Sequence, residues 1–178
     1  MTGVQTCALP ICFDSDTGEL SLDYGKGLFT IRTPRTQAAI GYLAEAGPVD
    51  LGEVRVECQT EFAVVSATSM DGKAIGESRR ILLTAVGRAE NTGQAYWPPE
   101  PGQLEKNRMS WMLPAEGRSP VIVEPIRATV MLPLIGKAAA YRLDPTGKRG
   151  DRLGSSTEGG RLRVDLSGAR TKIGRANV

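Results

Sequence analysis

Hydrophobic and polar positions alternate along this chain in short runs, and turn-forming residues separate the runs. Leu20, Leu22 and Tyr24 alternate with Glu19, Ser21 and Asp23, a period of two that predicts a strand. Gly25-Lys26-Gly27 then makes a turn, and Leu28–Thr33 completes a hairpin. Gln37–Leu43 is a third run, after the break at Pro34. Val49–Leu51 and Val54–Cys58 surround a bulge or turn at Gly52. Glu61–Ser69 is long, and it leads into Met70-Asp71-Gly72-Lys73, where Asp-Gly favours the positive φ of a tight hairpin. Ile81–Ala89 is the most strand-prone run of the first half.

Residues 90–107 read as a loop rich in Pro, Gly and polar residues, and Arg108–Leu113 as a short strand. Val121–Leu132 is a long apolar run containing Pro125, which requires an edge, a bend or a bulge. Ala138–Leu143, Gly150–Leu153 and Arg161–Leu166 complete the set, with residues 154–160 as a flexible hairpin loop. Helical alternatives are weak. Gly41 interrupts Thr36–Ala46, and the β-branched neighbours and the preceding Asp-Gly turn favour a strand over Arg79–Glu90. The fold class predicted is all-β, an antiparallel sandwich of immunoglobulin-like or jelly-roll-like type with about ten strands.

Composition removes several functions. There is no histidine, hence no imidazole base for a Ser-His-Asp or Cys-His mechanism and no His-ligated zinc. The 22 Lys and Arg nearly balance the 20 Asp and Glu, which argues against binding nucleic acid by phosphate neutralisation. No apolar run approaches the length of a membrane span. Neither nucleic acid nor a membrane is expected as a partner, and no cofactor or metal is expected.

The two ends read differently from the rest. Residues 1–11, Met-Thr-Gly-Val-Gln-Thr-Cys-Ala-Leu-Pro-Ile, resemble the conceptual translation of a short-read sequencing adapter. Residues 172–178, Lys-Ile-Gly-Arg-Ala-Asn-Val, resemble the same adapter read from the opposite strand. On this reading the native segment is residues 12–171, one sandwich domain truncated at both ends. Setting Lys172 and Arg175 aside leaves its charges balanced. Of the three cysteines, Cys7 lies in the adapter and Cys12 at the junction, so Cys58 alone offers no disulfide framework.

Paired carboxylates are the common acid–base scheme open to a chain without histidine. The acidic candidates are Asp23, Glu57, Glu61, Asp71, Glu77, Glu124 and Asp144, and none is marked as catalytic by its context. Asp71 and Asp144 sit in turn sequences. Glu57 and Glu61 flank Cys58 at a strand boundary, where a solvated face explains them. Glu124 interrupts Val121-Ile122-Val123 just before Pro125. There is no Gly-x-Ser-x-Gly, Ser-x-x-Lys or phosphate loop. Cys58 reads as a small buried hydrophobe, and Arg149-Gly150-Asp151 as a coincidental integrin-type tripeptide.

The feature that suggests ligand contact is aromatic. Tyr96 and Trp97 sit in a Pro-rich stretch, and Trp111 lies on the following run. Flat rings on a Pro-braced loop can stack on sugar faces, meet a neighbouring domain, or simply cover one end of the core.

Several phrases, taken in order, resemble the C-terminal β-sandwich region of large multidomain glycoside hydrolases from environmental bacteria. They are Asp16-Thr17-Gly18-Glu19-Leu20 with Asp23; Thr33-Pro34-Arg35-Thr36-Gln37 with Gly41; Ser69-Met70-Asp71-Gly72-Lys73; Ser78-Arg79-Arg80-Ile81-Leu82-Leu83-Thr84; Asn91-Thr92-Gly93; and Pro120-Val121-Ile122-Val123-Glu124-Pro125-Ile126. The resemblance covers roughly residues 14–166. It implies a non-catalytic accessory sandwich, secreted or at the cell surface. Its first partner would be an upstream catalytic domain of the same polypeptide, which carries the catalytic carboxylates. Arg35 could fork onto a carboxylate or carbonyl of that neighbour. Two alternatives stay open: a carbohydrate-binding module that holds polysaccharide through Tyr96, Trp97 or Trp111, and a cell-surface adhesion sandwich with no enzyme attached.

Overall fold

The structure, a computed structural model, describes residues 12–97 and 112–167, with backbone alone at Tyr96, Trp97 and residues 112–114. Its strands are β1 (Cys12–Asp14), β2 (Leu20–Asp23), β3 (Leu28–Arg32), β4 (Thr36–Gly41), β5 (Val49–Asp50), β6 (Arg55–Cys58), β7 (Ala63–Ser69) and β8 (Ile81–Val86). They continue with β9 (Ala89–Thr92), β10 (Ala95–Trp97), β11 (Met112–Ala115), β12 (Arg118–Val123), β13 (Ala128–Pro133), β14 (Tyr141–Leu143), β15 (Arg149–Arg152), β16 (Ser155–Glu158) and β17 (Arg161–Asp165). One short helix, α1 (Leu43–Ala46), and one turn of 3-10 helix, Ile75–Glu77, interrupt them. The chain is all-β, and every strand pairing among the described residues is antiparallel.

The described residues form two compact units, where the sequence predicts one domain over 12–171. The larger holds residues 12–87 and 125–167, and the smaller holds residues 88–97 and 112–124. Within the larger unit a six-stranded sheet, in the order β1-β2-β3-β4-β7-β8, shares a core with a five-stranded sheet, β16-β17-β13-β6-β5. A separate hairpin, β14–β15, belongs to the same unit. The smaller unit consists of the pairs β9–β12 and β10–β11.

The core follows from the period-two alternation of side chains along a strand. Ala63, Val65 and Ala67 of β7 are buried, as are Val56 and Cys58 of β6, Ala128, Val130 and Leu132 of β13, and Leu162 and Val164 of β17. Leu43 of α1 and Ile75 of the 3-10 turn close the two ends of this layer with no exposed surface. Two buried polar side chains pin loops to the sheets. The Gln37 Oε1 accepts the Val54 N–H at 2.9 Å, tying β4 to the approach to β6. The Thr60 hydroxyl accepts the Arg127 N–H at 2.8 Å and fixes the entry to β13. Both satisfy backbone N–H groups that would otherwise lie near the core unpaired. Gly41 ends β4 at a φ of 133°, and a Cβ there would fall 2.0 Å from the Gly27 carbonyl oxygen, so only glycine fits.

The strands outnumber the ten or so expected because short pairings form in stretches that read as loops. β9 and β10 fall within residues 90–107 or overlap their start, and β16 lies within 154–160. Ser155-Ser156-Thr157-Glu158 lacks apolar residues, yet it pairs along β17 as an edge strand, where one face and one edge meet water. The run Val121–Leu132 divides at Pro125 into β12 and β13, the break that proline imposes on a ladder.

Candidate functional site

Of the sequence-predicted residues, Arg35 belongs to the larger unit and Tyr96 and Trp97 to the smaller. Arg35 is exposed in the turn between β3 and β4, and its carbonyl accepts the Ser69 N–H at 2.8 Å. Tyr96 and Trp97 lie on β10, with Trp97 opposite Met112 on β11. Trp111 lies outside the described residues. Arg149-Gly150-Asp151 lies within strand β15 rather than at a hairpin tip.

Most of the acidic candidates have local duties. Asp71 accepts the Arg79 N–H at 2.9 Å, the Ser78 hydroxyl at 2.8 Å and the Ser69 hydroxyl at 3.0 Å. These donors, the Arg79 N–H first among them, hold its carboxyl well below the usual carboxylate range. Asp144 is likewise lowered, by the Thr146 hydroxyl at 2.7 Å and the Lys148 N–H at 2.9 Å. Glu57 pairs with Arg55 at 3.3 Å, Glu124 with Arg88 at 3.2 Å, and Asp23 with Lys26 at 4.0 Å. A shallow cleft of about 200 Å³ opens beside β6 and β13, and its lining holds Arg127, Arg163 and one carboxylate, Glu57. Among the described residues no group of three His, Cys, Asp or Glu side chains could hold a metal ion.

The most distinctive surface is one that residue-by-residue reading of candidates misses. Strand register places Phe13, Leu22, Phe29, Ile40, Val64 and Val86 in a single row, one from each strand of the six-stranded sheet. The parity of this row is opposite to that of buried Val65 and Ala39, so it lies on the face turned away from the core. A second row holds Leu20, Ile31 and Ala38 before passing to Ser66 and Thr84. Phe13 and Val86, at the two ends of the first row, are 51% and 49% exposed, and Leu20 is 39% exposed.

Six strands at the usual spacing make this row about 24 Å long; its two ends are exposed and its four inner side chains are half-buried, while Ala38 in the second row is buried. An apolar row that crosses a whole sheet on its outer face is the candidate interaction surface of this unit. Aromatic rings border it. Phe13 meets the exposed Tyr24 edge-to-face at 5.7 Å, and the exposed Tyr42 meets Phe62 in the same geometry at 5.6 Å. The Arg35 turn lies at one end of the same sheet, between β3 and β4. The signal in the sequence was present: Leu28-Phe29-Thr30-Ile31 and Ile81-Leu82-Leu83 are apolar at both parities, as in strands covered on both faces.

Comparison of the chain with protein-family models, with curated proteins and with solved structures finds no match.

Proposed function

We propose that this chain is a non-catalytic accessory β-sandwich that braces the catalytic domain of a polysaccharide-degrading glycoside hydrolase. It docks through the apolar outer face of its six-stranded sheet. The observation that carries the docking is the uninterrupted row from Phe13 to Val86. Four of its six side chains are aliphatic, and the one inner ring, Phe29, lies between Leu22 and Ile40; such side chains offer a sugar no hydrogen-bond partner, whereas another protein's apolar surface gains from covering them. The occupant is the upstream catalytic domain of the same polypeptide. That assignment draws on the resemblance of the ordered phrases between Asp16 and Ile126 to accessory regions of such hydrolases. The patch also suits an interdomain contact, since such contacts bury several hundred Å² on each side. Arg35, at the end of the sheet, is placed to reach a carboxylate or carbonyl at the rim of the contact. Polymers too large to enter a cell are cleaved outside it, so the enzyme acts in secreted form or at the cell surface.

Uninterrupted source DNA tests this reading. The coding sequence upstream of Cys12 is expected to encode a barrel domain with paired Glu or Asp residues. An upstream sequence that encodes no enzyme domain overturns it.

A further inference from the structure

The β14–β15 hairpin is a concentration of unneutralised positive charge. Residues 137–152 contain Lys137, Arg142, Lys148, Arg149 and Arg152, against two carboxylates, Asp144 and Asp151. Asp144 is engaged by its own turn, where it accepts the Thr146 hydroxyl and the Thr146 and Lys148 N–H groups. Among the described residues, none of the five cations is in an ion pair. By contrast, residues 12–87 hold more Asp and Glu than Lys and Arg, so the excess is local to this part of the larger unit. Register sets Arg152 opposite Tyr141 and Arg149 opposite Leu143, and both of these apolar side chains are 42% exposed. The Arg149 guanidinium also lies over the Tyr141 ring, 5.4 Å from its centre. This contact restrains a long side chain that would otherwise lose rotamer freedom on binding.

We propose that this hairpin binds a linear carboxylated polysaccharide. The register shift between Tyr141 and Leu143 sets Arg152 and Arg149 opposite residues two apart, so the two arginines share a face roughly 7 Å from each other. Each can fork onto a carboxylate, while Tyr141 and Leu143 lie against the apolar face of a sugar ring. Two rival polyanions fit less well. Single-stranded nucleic acid is held by stacking successive bases on several aromatic faces, and residues 137–152 offer one ring, Tyr141. An anionic membrane surface would attract the cations too, but the tip, Asp144-Pro145-Thr146-Gly147-Lys148, adds no apolar anchor to that attraction. The choice of a polysaccharide over an acidic protein surface rests on the reading of the chain as part of a polysaccharide-degrading enzyme.

The test is affinity electrophoresis of the whole chain in gels containing polygalacturonate or neutral dextran. Competition with a single-stranded DNA oligonucleotide and with vesicles of mixed phosphatidylglycerol and phosphatidylcholine completes it. Polygalacturonate is expected to retard the chain and dextran not to, with the retardation lost as salt is raised. The double substitution R149E/R152E is expected to weaken retardation roughly tenfold while the thermal unfolding midpoint holds. Y141A is expected to weaken it less and to leave its salt dependence in place. Equal retardation of wild type and R149E/R152E, equal retardation by dextran, or a preference for the DNA or the vesicles overturns the proposal. Substitutions on the six-stranded sheet are expected to leave retardation unchanged, so this proposal and the docking proposal fail separately.

Discussion

The two sheets of the larger unit turn different surfaces away from their shared core. Across the six-stranded sheet, one row runs Phe13, Leu22, Phe29, Ile40, Val64, Val86. Across the five-stranded sheet, the corresponding outward row runs Asp50, Arg55, Met131, Arg163, Ser156. Both sheets alternate with the same period, and both bury their inner parity. The five-stranded sheet has the polar outer face of a sheet that meets water, laced by exposed ion pairs between Arg55 and Glu57 and between Arg163 and Glu158. The six-stranded sheet has the composition of a layer with something on both sides. On the docking reading proposed above, the difference reflects what each outer face touches, because water alone favours polar residues on both.

The sharpest way to break the comparison is to place the same charge at two adjacent positions of β7. Val65 faces the core and is 1% exposed, while Val64 lies in the outward row. V65D is expected to cost several kcal/mol and to unfold the chain, because it buries a charge with no partner. V64D is expected to cost about 1 kcal/mol or less, as a polar replacement in a strand whose outer side meets water. Urea denaturation followed by circular dichroism separates the two. If V64D is as damaging as V65D, the outward row is already covered within the chain and the comparison fails.

A smaller effect concerns the turn that sets β8 beside β7. Donors from Arg79, Ser78 and Ser69 lower the Asp71 carboxyl in the folded chain. A lowered folded value means that the carboxylate stabilises the fold above the unfolded value, near pH 4, and that this contribution is lost as the pH falls further. Thermal unfolding followed from neutral pH downward is therefore expected to show a drop below about pH 4 that is shallower in D71N. D71N is also expected to unfold at a lower temperature at pH 7. Parallel profiles for the two proteins would remove Asp71 from the account of this turn. The smallest effect is expected on the charged face. A double-mutant cycle on Arg55 and Glu57, both more than a third exposed, should give a coupling of about 0.5 kcal/mol or less that vanishes in high salt.

Much of this architecture could be read from residue order, because turns and alternation are local. Gly25-Lys26-Gly27 marks the hairpin turn between β2 and β3, whereas Met70-Asp71-Gly72-Lys73 ends β7 but opens a longer connection to Ile81 that carries the 3-10 turn Ile75–Glu77 instead of a tight hairpin. What pattern reading missed depends on partners distant in sequence. Ser155–Glu158 becomes a strand only because β17 offers it an edge. The outward row is assembled from six strands whose members lie up to 73 positions apart, from Phe13 to Val86, so no single window displays it. In β2 the alternation itself was clear, but Leu20 and Leu22 prove to share the face of Phe29 and Ile31 rather than the core. Alternation tells which residues share a face and leaves open which face is inside. The aromatic candidates fared differently: Tyr96 and Trp97 lie on β10 of the smaller unit, and Trp111 falls outside the described residues.

The most direct test is calorimetric titration of this chain with the catalytic domain that the proposal places upstream of it, expressed separately. The wild-type chain is expected to bind, and F29D/I40D, which changes two neighbours at the centre of the outward row, is expected to bind about a hundredfold more weakly. R55E/R163E, on the opposite sheet, is expected to bind as the wild type does. Equal binding by all three, or a loss confined to R55E/R163E, would contradict the claim that the apolar face is the docking surface.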